Sequence, residues 1–157
     1  MKLRQAPEWK TDGWLNTKQP LSLSTLNGKV IILYAFQMLC PGCLHNSLPQ
    51  AQRVHDAFAG DDCAAIGLHT VFEHHEAMKR PSLEAFVHEF RLTFPIGINR
   101  HEKGDTLPAT MAAYNMQGTP TLALIDRQGR LRKQKFGHEH DLVLGAEIQA
   151  LLMEENS

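Results

Sequence analysis

The amino-acid sequence predicts an α/β fold, a mixed central β-sheet with helices on both faces. Three observations predict it. The run Val30-Ile31-Ile32-Leu33-Tyr34-Ala35-Phe36 is continuous, β-branched and aromatic, the pattern of a strand buried on both faces. Strand-like and helix-like segments then alternate, which implies parallel strands joined by crossover helices. The last two strands are separated only by a tight Gln128-Gly129 turn and so run antiparallel.

Residues 6–27 are polar and punctuated by Pro7, Gly13 and Pro20, and the alternation of Leu21 and Leu23 predicts a short edge strand before the Asn27-Gly28 turn. Val30–Phe36 is the first buried strand. After Cys40-Pro41-Gly42-Cys43, the residues Leu44, Leu48, Ala51, Val54, His55 and Phe58 recur near helical spacing, and Gly60 ends that helix. Pro49 lies inside it and is expected to kink it by removing a backbone donor. A second strand is predicted over 64–70. A helix follows over 82–90, with Pro81 at its start and Glu84 in its first turn. Then come a strand over 94–98, a short helical piece over 110–114, a strand over 121–126, a more polar strand over 130–136, and the amphipathic helix Asp141–Met153. The order is β-α-β-α-β-α-β-β-α.

At 157 residues the chain fits one domain, residues 1–157, with 1–20 as an N-terminal extension. That size supports a core without disulfide staples. With 43% hydrophobic and 21% charged residues the composition is that of a globular protein. Sixteen basic against seventeen acidic residues leave a net charge of −1, so no basic excess points to nucleic acid or an anionic membrane. The nine His can add charge just below neutral pH. The longest apolar run is too short to span a bilayer. The first sixteen residues carry Lys2 and Arg4 but no apolar core of a signal peptide, so a cytoplasmic location is expected.

Three Cys are too few, and odd in number, for a secreted disulfide framework. Cys40 and Cys43 stand at a strand-to-helix junction, where residues i and i+3 share a face and their sulfurs can meet. Cys40 falls at the helix start, where unpaired N–H groups and the positive end of the dipole favour a thiolate. Cys43 lies one turn in. The geometry makes Cys40 the attacking thiol and Cys43 the resolving one. Pro41 suits a first turn, and Gly42 adds no bulk above the sulfurs. The same spacing ligates zinc, but a structural zinc site needs four ligands and the chain has no second Cys pair. Cys63 is isolated, and His45, His74 and His75 are not at fixed ligand spacing, so redox chemistry is favoured.

The segment from Tyr34 through Cys43 resembles the active site of the thioredoxin superfamily. Gly118-Thr119-Pro120-Thr121, leading into a core strand, resembles that superfamily's second signature. The resemblance implies a thioredoxin fold with a cis Pro120 packed beside the cysteines and Thr119 presenting its backbone to an extended substrate. Within the superfamily the chain is most similar to the TlpA-like branch, including the thioredoxin-like domains of DipZ-type proteins. Leu21-Ser22-Leu23 with Leu26-Asn27-Gly28-Lys29-Val30 resembles that branch's entry to the first core strand, and Gly67-Leu68-His69-Thr70 with Phe72-Glu73 resembles the DipZ-type stretch after the second. An insertion between the second core strand and the cis-Pro strand is expected by the same likeness, which runs from about Leu21 to Leu152. It implies a thiol–disulfide oxidoreductase with no organic cofactor and no metal, since the dithiol carries two electrons. Its partners would be a protein disulfide or dithiol and an upstream electron donor or acceptor protein. The substrate-facing residues would be Leu39, Pro41, Gly42, Thr119 and Pro120.

Two departures stand out. The family's usual Trp before the first Cys is Leu39 here, and its buried acid six positions before that Cys is Tyr34. Glu73 is the candidate that could supply an acid or base instead. Peroxiredoxins share the fold and are the rival enzyme class, but their Pro seven residues before the reactive Cys and their Thr or Ser three before it are Leu33 and Gln37 here. A metal carrier using the two Cys with His69, His74, His75 or His101 is the non-enzymatic alternative. The copper carriers of this fold space their cysteines by three residues rather than two. Trp9 and Trp14 are expected to pack the N-terminal segment onto the domain, and Cys63 to be a small buried thiol.

Overall fold

The computed structural model describes residues 2–58, 60, 62–102 and 107–154. Six strands form one mixed sheet: β1 (Thr11–Leu15), β2 (Val30–Phe36), β3 (Cys63–His69), β4 (Ile96–Asn99), β5 (Thr121–Ile125) and β6 (Leu131–Phe136), in the order β1-β4-β3-β2-β5-β6. β2 pairs parallel with β3, and β3 with β4, while β5, β6 and β1 each join antiparallel. β2 is central, and all seven of its residues are buried. That is why its sequence is apolar throughout rather than alternating. β6, at an edge, carries Arg132, Lys133, Gln134 and Lys135.

The helices are α1 (Leu48–Ala57), α2 (Arg80–Glu89), α3 (Ala109–Ala113) and α4 (Asp141–Met153), with a 3-10 turn at His75–Met78. One face of the sheet packs Val30, Ile32, Tyr34 and Phe36 against Leu48, Ala51 and Val54 of α1, Leu83 and Val87 of α2, and Leu144, Ile148 and Leu151 of α4. The opposite face packs Ile31, Leu33, Ala35, Ile66 and Leu68 against Met111, Tyr114 and the N-terminal Trp9. This is the mixed sheet with helices on both faces that the sequence predicts. The Trp9 indole donates to the Tyr114 hydroxyl at 3.1 Å, and Trp14 lies 6.1 Å from Trp9, so both tryptophans do fasten the N-terminal segment to the sheet.

Two local expectations are corrected. Leu21 and Leu23 form no strand: the chain turns here, with the Leu26 N–H bonded to the Ser22 carbonyl and Ser22 and Thr25 bonded reciprocally through side chains. The edge strand is instead Thr11–Leu15, which the polar reading of 6–27 passes over. Pro49 does not kink a regular helix. It sits at the start of α1, directly after a wide π-turn over Cys43–Ser47 in which the Leu48 N–H bonds back to the Cys43 carbonyl. The wide turn takes up the missing proline donor and the crowding its ring would cause. Among the described residues, no helix is long and apolar enough to cross a membrane.

Candidate active site

The site lies at the C-terminal end of β2, where open α/β sheets commonly place their chemistry. β2 ends at Phe36, and Gln37-Met38-Leu39 lead into the Cys40 helix start. Cys40 caps that helix. Its carbonyl accepts the Leu44 N–H at 2.9 Å, and its sulfur accepts the Cys43 N–H at 3.3 Å. The Cys40 thiol in turn donates to the Thr119 carbonyl at 3.6 Å. Cys40 is half-exposed and Cys43 fully buried, and both are free thiols, as is buried Cys63.

Thr119 arrives from the other side of the cleft. The Thr119–Pro120 peptide bond is cis, and Pro120 is buried. The Pro120 carbonyl accepts the Gly137 N–H at 2.8 Å, which ties this loop to the end of β6. Gly42 lies close to this loop: a Cβ there would stand 3.3 Å from Pro120 Cδ. Leu39 is 54% exposed beside Cys40, an apolar surface where the fold family usually has an indole. The structure therefore brings together Leu39, Cys40, Gly42, Cys43, Thr119 and Pro120. Pro41 lies exposed on the rim.

Burial pushes the Cys43 thiol up to about 12. A hydrogen bond shared with Cys40 adds to that, while the Gln37 backbone N–H and the Thr119 hydroxyl pull it back down. No carboxylate stands beneath the pair at position 34. Tyr34 turns its hydroxyl away, donating to Gln50 Oε1 at 3.1 Å. The Gln50 amide then donates to the Glu139 carbonyl and to Asp141 Oδ1, and Arg53 grips Asp141. This polar chain fastens the cysteine helix to the start of α4. Glu73 is exposed, next to Phe72 on the segment after β3.

The histidines considered as ligands are scattered. His69 is buried with its ring against Phe36, His74 is exposed, and His75 and His101 face one another with ring centroids 5.2 Å apart. Among the described residues, no three His, Cys, Asp or Glu side chains are grouped to hold a metal.

Sequence reasoning passed over Gln37 except as a missing hydroxyl. It is 1% exposed, and both ends of its amide are engaged: Nε2 donates to Thr119 Oγ1 at 3.1 Å, and Oε1 accepts the Phe72 N–H at 3.2 Å. The signal available in the sequence was a polar residue directly after a seven-residue apolar strand.

The sheet order, the Cys-x-x-Cys pair at a helix start and the facing Thr119-Pro120 loop define a thioredoxin-like protein of the TlpA-like type. The chain belongs to the AhpC/TSA family, whose model matches residues 3–134. It is similar to the crystal structure of a thioredoxin-like superfamily protein at 52% identity, with 98% of this chain and 99% of that one covered and a TM-score of 0.94. It is similar to a thiol-disulfide isomerase from Corynebacterium glutamicum at 41% identity, covering 96% and 98% of the two chains with a TM-score of 0.90. StoA from Bacillus subtilis matches at 27% identity over 80% of this chain and 86% of its own, with a TM-score of 0.64. No curated protein matches the chain.

Proposed function

We propose that this protein is a thiol–disulfide oxidoreductase that exchanges its Cys40–Cys43 dithiol with protein disulfides. The observation that carries it is the seat of the Cys40 sulfur: half-exposed, bonded by the Cys43 N–H at 3.3 Å, 3.6 Å from the Thr119 carbonyl, with buried Cys43 one turn behind. In the reducing direction the Cys40 thiolate attacks a partner disulfide. A Cys40–partner bond forms, and the partner's other sulfur leaves as a thiolate. The Cys43 thiolate then attacks Cys40 Sγ, closing the Cys40–Cys43 bond and releasing the second partner sulfur. Two electrons pass from the enzyme dithiol to the partner. The two protons lost by Cys40 and Cys43 go, through solvent, to the two partner thiolates. A second protein dithiol restores the enzyme by the same steps reversed.

Leu39, Pro41, Gly42, Thr119 and Pro120 form the substrate contact in this proposal, with Leu39 offering an apolar seat beside the reacting sulfur. Glu73 is retained as a proton acceptor because its neighbour Phe72 is held to Gln37, three residues before Cys40. Glu73→Gln is expected to slow release of the product thiol near neutral pH, and an unchanged pH profile removes that role. A peroxidase would need a free hydroxyl three residues before Cys40, where the Gln37 amide is instead engaged at both ends.

The test is direct. Mild oxidation should give a Cys40–Cys43 disulfide by mass spectrometry, and Cys43→Ser should accumulate mixed disulfides with partner proteins through Cys40. Failure to form that internal bond, or peroxide consumption faster than disulfide reduction, refutes the proposal.

A further inference from the structure

We infer that Gln37 is a positioning residue for partner recognition: its buried amide braces Thr119, and with it the Thr119 carbonyl, opposite the Cys40 sulfur. The inference rests on the exchange chemistry and the substrate contact proposed above, and it assigns the group that keeps the cleft set while Cys40 reacts.

Three segments of the chain meet at one amide. Gln37 stands between β2 and Cys40, Phe72 follows β3, and Thr119 precedes Pro120. The amide is 1% exposed, with its Nε2 donating to Thr119 Oγ1 at 3.1 Å and its Oε1 accepting the Phe72 N–H at 3.2 Å. The Phe72 bond fixes which end of the amide faces Thr119, because a flipped amide would set N–H against N–H. The Thr119 carbonyl in turn accepts the Cys40 thiol at 3.6 Å. One threonine is thus tied twice to the segment Gln37–Cys40, by its side chain at one end and by its carbonyl at the other.

The two ties behave differently during exchange. The Cys40 tie needs the thiol proton. That proton is gone once Cys40 ionises or bonds to a partner sulfur, and a carbonyl oxygen is repelled by the thiolate it then faces. The Gln37 tie involves no atom that changes in the reaction, so it persists through every step and takes neither proton nor electron. The remaining anchors of the Thr119 loop do not cross the cleft: the Pro120 carbonyl accepts the Gly137 N–H at 2.8 Å, and the Thr121 hydroxyl donates to the Gly118 carbonyl at 2.6 Å. Gln37 therefore holds the Thr119 carbonyl where an extended partner segment can donate a backbone N–H to it while that segment's sulfur meets Cys40. A small disulfide has no backbone N–H to offer and gains nothing from the brace.

The experiment compares two substrates of the reduced protein in single turnover: a self-quenched disulfide joining two extended peptides, and a small chromogenic aryl disulfide. The quantity read is the ratio of their second-order rate constants, peptide over aryl. Gln37→Met keeps length and burial but has no donor, and it is expected to lower that ratio about fivefold, the scale of one neutral hydrogen bond. Thr119→Val, which removes the acceptor and keeps the carbonyl, should lower it similarly, and Thr119→Ser should restore it. In the Thr119→Val background, Gln37→Met should add less than about twofold, because both act through one hydrogen bond. A ratio in Gln37→Met within about twofold of wild type overturns the inference, whether the two rates stay unchanged or fall together as general damage would make them. So does a drop in the Thr119→Val background as large as in wild type, which marks a role through Phe72 alone. Should Gln37→Met fail to fold, Thr119→Val against Thr119→Ser decides, and equal ratios in those two overturn the inference. A wild-type protein that reduces neither disulfide refutes the exchange chemistry itself and the inference with it, an outcome distinct from the others.

Discussion

Acid should destabilise this fold in a pH window set by one side chain. His69 ends β3, is 2% exposed, and lies with its ring 5.2 Å from that of Phe36 and its Nε2 without a hydrogen-bond partner. Burial lowers its pKa from 6.5 to about 4. The folded state thus keeps His69 neutral where the unfolded chain binds a proton. The contribution is fully present above about pH 6.5, is lost steadily as pH falls toward 4, and is constant below that. At about 1.4 kcal/mol per unit, the shift amounts to a loss of about 3 kcal/mol. Asp141, held near 2 by the Arg53 guanidinium, loses its contribution only at lower pH, so the two windows separate. The assay is urea unfolding of wild type and His69→Leu from pH 7.5 to 4 at fixed ionic strength. At pH 7.5 the variant should be near wild type or above it, because a buried unpaired nitrogen has been removed. By pH 4 it should be the more stable protein by about 3 kcal/mol relative to that starting difference. A difference between the two proteins that stays constant within about 0.5 kcal/mol across the range refutes the reasoning.

Gly67→Ala is expected to destabilise by about 1–3 kcal/mol, because a Cβ on Gly67 would stand 2.9 Å from Phe94 Cε2 and 3.2 Å from Phe36 Cε1; an unchanged thermal midpoint would falsify it. Asp126 accepts hydrogen bonds from the Gln128 and Arg130 backbone and from the Arg130 and Arg132 guanidiniums. Burial pushes its carboxyl up, but those bonds outweigh it and hold the group below its ordinary value. Asp126→Ala should therefore cost about 2–3 kcal/mol, and Asp126→Asn less, in urea midpoints; equal losses in the two would sink the charge argument. Burial pushes the Cys63 thiol up to about 11 and Cys43 to about 12. Iodoacetamide at pH 8 should thus label half-exposed Cys40 first, by peptide mass spectrometry, and comparable early labelling of Cys63 contradicts this.

What the sequence made legible were the elements whose local pattern and tertiary role agree. β2 and β5 are continuous apolar runs because each is covered on both faces, and the cysteine pair declares itself by spacing. β1 was not legible. Thr-Asp-Gly-Trp-Leu has two poor strand formers, and its strand exists because β4 offers an open edge, with Trp14 laid over Gly97 at a distance where a Cβ would meet the indole at 3.0 Å. Leu21 and Leu23 alternate as a strand would, yet the hydroxyls of Ser22 and Thr25 win the local backbone and turn it. Gln37 has partners 35 and 82 residues away, so nothing local announces these contacts.

The burial of Cys43 joins the fold to the chemistry. A buried thiol pushed this far up is almost wholly protonated at neutral pH. As a free reagent that would be a poor nucleophile. Cys43, however, meets its target inside one helical turn, and well-oriented intramolecular reactions reach effective molarities of about 10⁵–10⁸ M. Proximity therefore offsets the deficit that burial creates. The same burial denies external thiols access to the Cys43 sulfur, so only Cys40 can complete the bond. Part of the upward shift is the hydrogen bond that the Cys43 thiol gives to the Cys40 sulfur, which is weakened once that sulfur is tied to a partner. In the proposed exchange the resolving thiol thus becomes easier to ionise at the stage that calls for it.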